Sequence, residues 1–322
     1  YSGNFTMEMP DLTDYNMMNA KEKLQAEVTA GLYQENNVSA MNEYNRYLRN
    51  VLAGVNTYWL SQPLQTSFQQ RHSISASGGT EVFRYSLNLS ARIAPGVMKE
   101  SDNNVKGVNF NMSYRKDKIT VGADINLTES DGHNSPYGNF ASYTRINPYY
   151  KPRGENGEYL QALDTHRGTG NARTIVNPLY NATVGIKNFT NNMNIANNLS
   201  IEYRLLKNLR LSEQLSYTKG IARAENFLPA NHTSFVEVSD LTKKGSYQKS
   251  IGEMSSWSSN FGINWSIPLD KHLISLFGNW TLAEDRSNYV NLSATGYPDV
   301  HMDDFIFGYK MDSDPRGTEA LS

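Results

Sequence analysis

Between Arg71 and Thr128 the chain repeats one pattern: short segments in which apolar and polar residues alternate. Val108, Phe110, Met112 and Tyr114 alternate with Asn109, Asn111, Ser113 and Arg115, and Ile119, Val121, Ala123, Ile125 and Leu127 alternate with Thr120, Gly122, Asp124, Asn126 and Thr128. Side chains on a strand have period two, so each segment has one apolar and one polar face. Helices are excluded here, and the apolar face must be covered by a protein core or by lipid.

The pattern recurs along the 322 residues. Tyr1 to Met9 alternates with Phe5, Met7 and Met9 on one face and is stopped by Pro10. The next stretch changes period. Met17, Ala20, Leu24, Val28 and Leu32 fall at helical spacing, with Asn19 and Glu22 as a capping box. A second helix is predicted over Ala40–Ala53, with Ser39 as its N-cap and Gly54 beyond its end. Alternation resumes over 67–77, 82–93, the pair at 108–128, 192–205, 209–219, 256–267 and 272–283, and Phe305–Tyr309 is a candidate tenth strand. The turns expected are Gly78-Gly79, residues 115–118, Lys207-Asn208 and residues 268–271.

The connections alternate strictly between long and short. In an up-and-down meander this puts every tight turn at one end and every long loop at the other. Outer-membrane β-barrels sort their loops in this way, with strands of about ten residues. The second face of the strands, rich in Asn, Ser, Thr, Gly and charge, suits a polar lumen. Tyr85, Tyr114, Tyr217 and Trp257 are placed near the ends of the apolar band, as interfacial aromatics are. A mean hydropathy of −0.58 does not oppose this, because only alternate residues of a barrel strand face lipid. No run approaches the ~18 apolar residues of a membrane helix.

Other classes find no support. A net charge of −2 argues against nucleic-acid binding. The absence of cysteine removes disulfides and thiolate metal sites. The six histidines show no metal-ligand spacing; His301 with Asp303 and Asp304 reads as a solvated acidic loop, with a cation site as the alternative. There is no nucleophile elbow or phosphate-binding loop, and no carboxylate pair is placed by a motif. No catalytic residue, cofactor or metal is expected, and the chain is read as a non-enzyme.

The order of a strand-like YSGNF, a helix-like YNMMNAKEKLQAE, Trp59, the hairpin RHSISASGGTEVFRYSLNLS, and later NPYYKPRGENGEY and IVNPLYN resembles the SusC/RagA-type TonB-dependent transporters. The HSISASGGTE hairpin is the most specific part of a resemblance that covers essentially the whole chain. It implies an all-β fold, with about nine or ten strands of a 22-stranded antiparallel transmembrane barrel and two short helices in the first extracellular loop. Residues 1–322 would be the first half of the barrel domain, directly after the plug. Neither plug, signal peptide, TonB box nor remaining strands are identified, and the chain reads as a fragment.

The function implied is active import of glycans or peptides across the outer membrane of a Gram-negative bacterium. Membrane lipid, a SusD-like lipoprotein and TonB are the implied partners. A passive porin-like barrel and a soluble β-rich binding module are the alternatives. Tyr143, Tyr149, Tyr150 and Tyr159, in the long third loop, are candidates either to contact substrate or to pack the loop on itself. Arg84, Arg92, Arg115, Asp124 and Glu202 are candidates to line the solute path or hold the plug, or to be plain solvated charges.

Overall fold

A computed structural model of the chain describes residues 1–166, 173–311 and 316–321. Part of the long third loop and part of the C-terminal polar stretch therefore lie outside the described residues. Among the described residues eleven strands form one sheet. They are β1 (Ser2–Glu8), β2 (Ser67–Gly79), β3 (Phe83–Ile93), β4 (Asp102–Lys116), β5 (Ile119–His133), β8 (Lys187–Leu206), β9 (Leu209–Leu228), β10 (Ser246–Leu269), β11 (His272–Thr295), β12 (Lys310–Met311) and β13 (Arg316–Leu321). The pairing β1-β2-β3-β4-β5-β8-β9-β10-β11 is antiparallel throughout, and β12 and β13 both add to the upper part of β11. A separate hairpin, β6 (Ala162–His166) with β7 (Arg173–Val176), lies in the third long loop.

The register keeps like with like. Leu89, Val108 and Leu127 stand in one row, and so do Leu87, Phe110 and Ile125. Asn88, Asn109 and Asn126 form the matching row on the other face. The apolar band ends abruptly along each strand. Above Leu127 the same face of β5 continues as Glu129, Asp131 and His133, and above Tyr217 that of β9 continues as Lys219, Ile221, Arg223 and Glu225. Strands rise ~3.3 Å per residue, and at the ~40° tilt of barrel strands the runs Ile119–Leu127 and Trp257–Leu269 climb about 20–30 Å, which brackets the ~25 Å band of membrane barrels. Tyr217 and Trp257 are direct partners at its upper limit, and Tyr114 and Phe83 are partners near the tight turns.

The tight turns fall at residues 80–82, 117–118, 207–208 and 270–271, and the long connections all fall at the opposite end. Three turns agree with expectation to within two residues. The fourth differs: Gly78 and Gly79 are paired strand residues, facing Tyr85 and Arg84, and the turn follows them. Gly79 has φ +141°, and a Cβ there would stand 2.1 Å from the Phe83 carbonyl oxygen. At Gly78 the Tyr85 ring occupies the place a side chain would take, with its hydroxyl 3.0 Å from an ideal Cβ. Thr80 closes the turn by accepting from the Val82 and Phe83 amides at 3.3 and 3.2 Å.

The first long loop contains α1 (Ala20–Thr29) and α2 (Val38–Leu52). The Asn19/Glu22 capping box is present. The second helix starts earlier than predicted, capped by Asn37 and not Ser39, with the Asn37 side chain accepting from the Ala40 amide at 3.2 Å. The third long loop holds α3 (Phe140–Tyr143) and α4 (Pro178–Asn181). The expected strand at Phe305–Tyr309 is a 3-10 turn capped by Asp304, and pairing begins only at Lys310. No helix among the described residues is long and apolar enough to cross a membrane.

Candidate solute-facing wall and loop lobe

The long loops make one connected lobe, and its core is aromatic. Tyr47 of α2 stacks on Tyr149 with ring centroids 4.5 Å apart, and Tyr150 packs edge-on to both, at 5.8 and 5.0 Å. Trp59, Leu60, Tyr143, Ile146 and Leu179 belong to the same buried cluster. Hydrogen bonds join the first and third loops: Thr57 N–H donates to the Pro148 carbonyl at 2.8 Å, and the Trp59 indole Nε1–H to the Asn147 carbonyl at 3.0 Å.

Buried acids organise the cluster. Glu27 accepts from Tyr33 at 2.8 Å and from Tyr149 at 3.0 Å, and Lys23 neutralises it at 3.3 Å. Asp164 on β6 accepts a short hydrogen bond from Tyr47 and pairs with Arg46 at 2.6 Å. A buried carboxylate needs such partners, because an unpaired charge out of water is costly. Burial pushes the Tyr150 hydroxyl up to about 12, and burial with the nearby carboxylates raises Tyr47 and Tyr149 further still. These rings are neutral hydrogen-bond donors at physiological pH.

The lobe extends to the other long loops. The Asn181 amide donates to Thr233 Oγ1 at 2.8 Å and its carbonyl accepts from the Thr233 amide at 3.1 Å. Ser135 Oγ donates to the Lys99 carbonyl at 2.6 Å, and Lys99 Nζ to the Gln62 carbonyl at 2.6 Å. A second small cluster, Phe227, Tyr247, Ala294 and Tyr297, sits at the top of β9–β11.

Three of the four candidate tyrosines are thus interior. Tyr143, Tyr149 and Tyr150 are 0%, 1% and 3% exposed, and they hold the loops together with almost no ring surface free. Tyr159 is partly buried against the same cluster, with Arg153 lying over its ring at 3.7 Å. The sequence marks these rings as aromatic and clustered, but burial depends on α1, α2 and Trp59, which come from a loop some ninety positions earlier.

The five charged candidates all share the polar face but do not form one site. Arg84, opposite Ser113, and Arg115, opposite Thr120, lie at the tight-turn end. Glu202 is the next residue across from Thr120 and takes an ion pair from Arg204 at 3.5 Å. Asp124 stands mid-wall between Asn111 and Asn198. Arg92 is alone of the five at the long-loop end, where its direct partner on β2 is Arg71, a residue that sequence reasoning passed over. The alternation that assigns Arg92 to the polar face assigns Arg71 there too; only the register brings the two side by side.

Glu213 was also missed. It lies on the apolar face between Leu211 and Leu215, opposite Ile201 and Phe261, and its carboxylate accepts from Ser259 Oγ at 2.6 Å. Among the described residues no group of three or more His, Cys, Asp and Glu could hold a metal ion. Asp303, near His301, is instead paired with Lys187 at 2.6 Å.

No protein-family model and no curated protein matches the sequence. Solved structures do. The chain superposes on the RagAB peptide transporter with a TM-score of 0.75 at 16% identity, covering 99% of this chain and 38% of that one. It superposes on the RagAB peptide importer in the "closed-closed" state with 0.75 at 17% identity, over 99% and 38%. For the "open-open" state the values are 0.72 at 17% identity, over 100% and 39%. The chain therefore spans under two fifths of the length of the chains it matches. At this identity the likeness is one of fold: the chain is an antiparallel, up-and-down β-barrel segment of the kind found in those transporter chains.

Proposed function

We propose that this chain is one wall of an outer-membrane importer of the SusC/RagA type, energised by TonB and working with a SusD-like lipoprotein. The observation that carries this is the coincidence of an apolar band about as tall as a membrane core with a sheet whose tight turns all lie at one end. On this reading lipid covers the apolar face, the polar face lines the lumen, and the lobe stands outside the cell above the mouth. The residues 1–322 form part of the barrel domain, and a plug fills the space beside the polar wall. Peptides are the favoured cargo, because the structural neighbours are a peptide transporter and importer; oligosaccharides are the second class.

Arg84, Arg115 and Glu202 are proposed to hold the plug at the periplasmic end, with Asp124 facing the solute path and Arg92 near the mouth. Tyr159, which is only partly buried, is proposed to touch cargo directly, and the other three tyrosines to shape the surface around it.

The test is uptake of fluorescent peptides and oligosaccharides by cells with and without the gene, in the presence and absence of TonB. TonB-dependent accumulation is expected. Uptake that persists without TonB and equilibrates across the membrane indicates a passive pore, and recovery of the complete protein in the soluble fraction overturns the lipid-facing assignment.

A further inference from the structure

We propose that Arg71 and Arg92 form a two-arginine cradle that binds a carboxylate on the polar wall near the long loops. The two are direct cross-strand partners on β2 and β3, and Asn4 of β1 lies next in the same row. Like charges directly opposite each other in a sheet repel, so a register that brings two guanidiniums together is favoured when an anion sits between them. Neither arginine forms an ion pair among the described residues; the one hydrogen bond found is from Arg92 to the Asn103 carbonyl, at 3.5 Å. Glu8, an acid on the same face of β1, is held instead by the Gln69 side-chain amide at 3.1 Å.

The surroundings are shaped for a small planar anion. Ser73, Ser90 and Gly107 make the next row down, so the floor below the guanidiniums is low and hydroxyl-lined. Ser2 and Ser73 share a hydrogen bond of 2.7 Å. A Cβ at Gly107 would stand 2.8 Å from the Ser90 hydroxyl, which keeps that floor flat. Val105, opposite Arg92, closes one side with apolar surface. Guanidinium forks match a carboxylate in two parallel hydrogen bonds, a geometry that lysine does not offer. By contrast Arg204, elsewhere on the wall, already has Glu202 beside it.

The carboxylate has two sources: the C-terminus of a peptide cargo, or an acidic side chain elsewhere in the complete protein. The proposal rests on the importer reading only for the first. Purified complete protein is compared with Arg71→Gln, Arg92→Gln, the double Gln variant and the double Lys variant. The probes are peptides of about ten residues without Asp or Glu, with free-acid or amidated C-termini, read by anisotropy, alongside thermal unfolding.

A cargo carboxylate predicts at least tenfold weaker binding of free-acid peptides to the double Gln variant, unchanged binding of amidated ones, and partial recovery with Lys. An internal carboxylate predicts equal loss or no loss for the two peptide forms and a lower melting temperature for the double Gln variant. Unchanged binding with an unchanged or raised melting temperature overturns the cradle. Wild-type protein that binds neither peptide form counts against the peptide-importer reading, and the melting comparison then decides the cradle alone.

Discussion

Facing can be tested at two adjacent residues, Ile125 and Asn126 on β5. Ile125 is on the apolar face between Phe110 and Asn197, and Asn126 is on the polar face between Asn109 and Ala196. Both lie between the same two neighbouring strands, β4 and β8, so an arginine at either site differs chiefly in what surrounds its side chain. Ile125 lies six residues above the start of β5, or about 15 Å in height at ~3.3 Å per residue and ~40° tilt, a few ångströms past the middle of the band. Arginine costs about 2–4 kcal/mol at the midplane of a barrel and about 0–1 near its edges, so Ile125→Arg is expected to cost about 2 kcal/mol. Leu127→Arg, at the last apolar position, should cost about 1 kcal/mol, and Asn126→Arg about zero. The assay is urea unfolding of the complete protein in phosphatidylcholine vesicles, followed by tryptophan fluorescence. A 2 kcal/mol loss changes the folded-to-unfolded ratio about thirtyfold, well outside the scatter of such curves. Equal costs at 125 and 126, or a cost that fails to fall from 125 to 127, would falsify the assignment of lipid to this face.

Three further outcomes follow from the same geometry. Glu213→Gln removes a charge from the apolar band and should raise stability in the vesicle assay, by less than the ~2–4 kcal/mol that arginine costs there; destabilisation instead would place water or protein against that strand. Tyr47→Phe leaves Asp164 without its buried hydroxyl donor and should weaken the lobe by about 1–3 kcal/mol, seen as faster hydrogen exchange in α2 and β6 with the barrel strands unchanged. His232 is buried, which lowers its pKa, and its Nδ1 accepts from the Ser234 amide at 3.1 Å. The folded state therefore binds fewer protons than the unfolded one. The stability this group confers is complete above about pH 6.5 and falls as the pH drops below it; exchange of the 229–245 loop should accelerate below pH 6, and a His232→Gln variant should lose that dependence.

Much of the sheet was legible because it is written locally. Alternation gives the strands, Lys207-Asn208 gives a turn, and Asn19 with Glu22 gives a helix start. The limits lie where the signal is not local. Alternation predicts an end to β9 at Lys219, but the strand continues to Leu228, because above Tyr217 the same face turns polar with Lys219, Arg223 and Glu225 and the period-two contrast disappears. Backbone pairing sustains a strand that hydropathy no longer marks. A glycine pair predicts a turn because φ > 0 is common in turns, whereas here Gly78 makes room for the Tyr85 ring. The fate of the tyrosines is the furthest from the sequence: Tyr149 is interior only because Glu27 and Tyr47 arrive from another loop.

The strands lengthen steadily across the sheet, from β3, which ends at Ile93, to β10 and β11, which run from Leu269 and His272 up to Ser246 and Thr295. The wall is therefore a ramp. On its high side the rim is continuous ladder, where every residue is tied to a neighbour and swinging one means breaking a column of hydrogen bonds. On its low side the rim is the loop lobe, tied within itself by packed side chains and by backbone hydrogen bonds such as that from Thr57 to Pro148. A moving cover over this mouth would find a fixed post on one side and a single stiff block on the other, so any opening motion here belongs to the block as a whole and not to its separate loops.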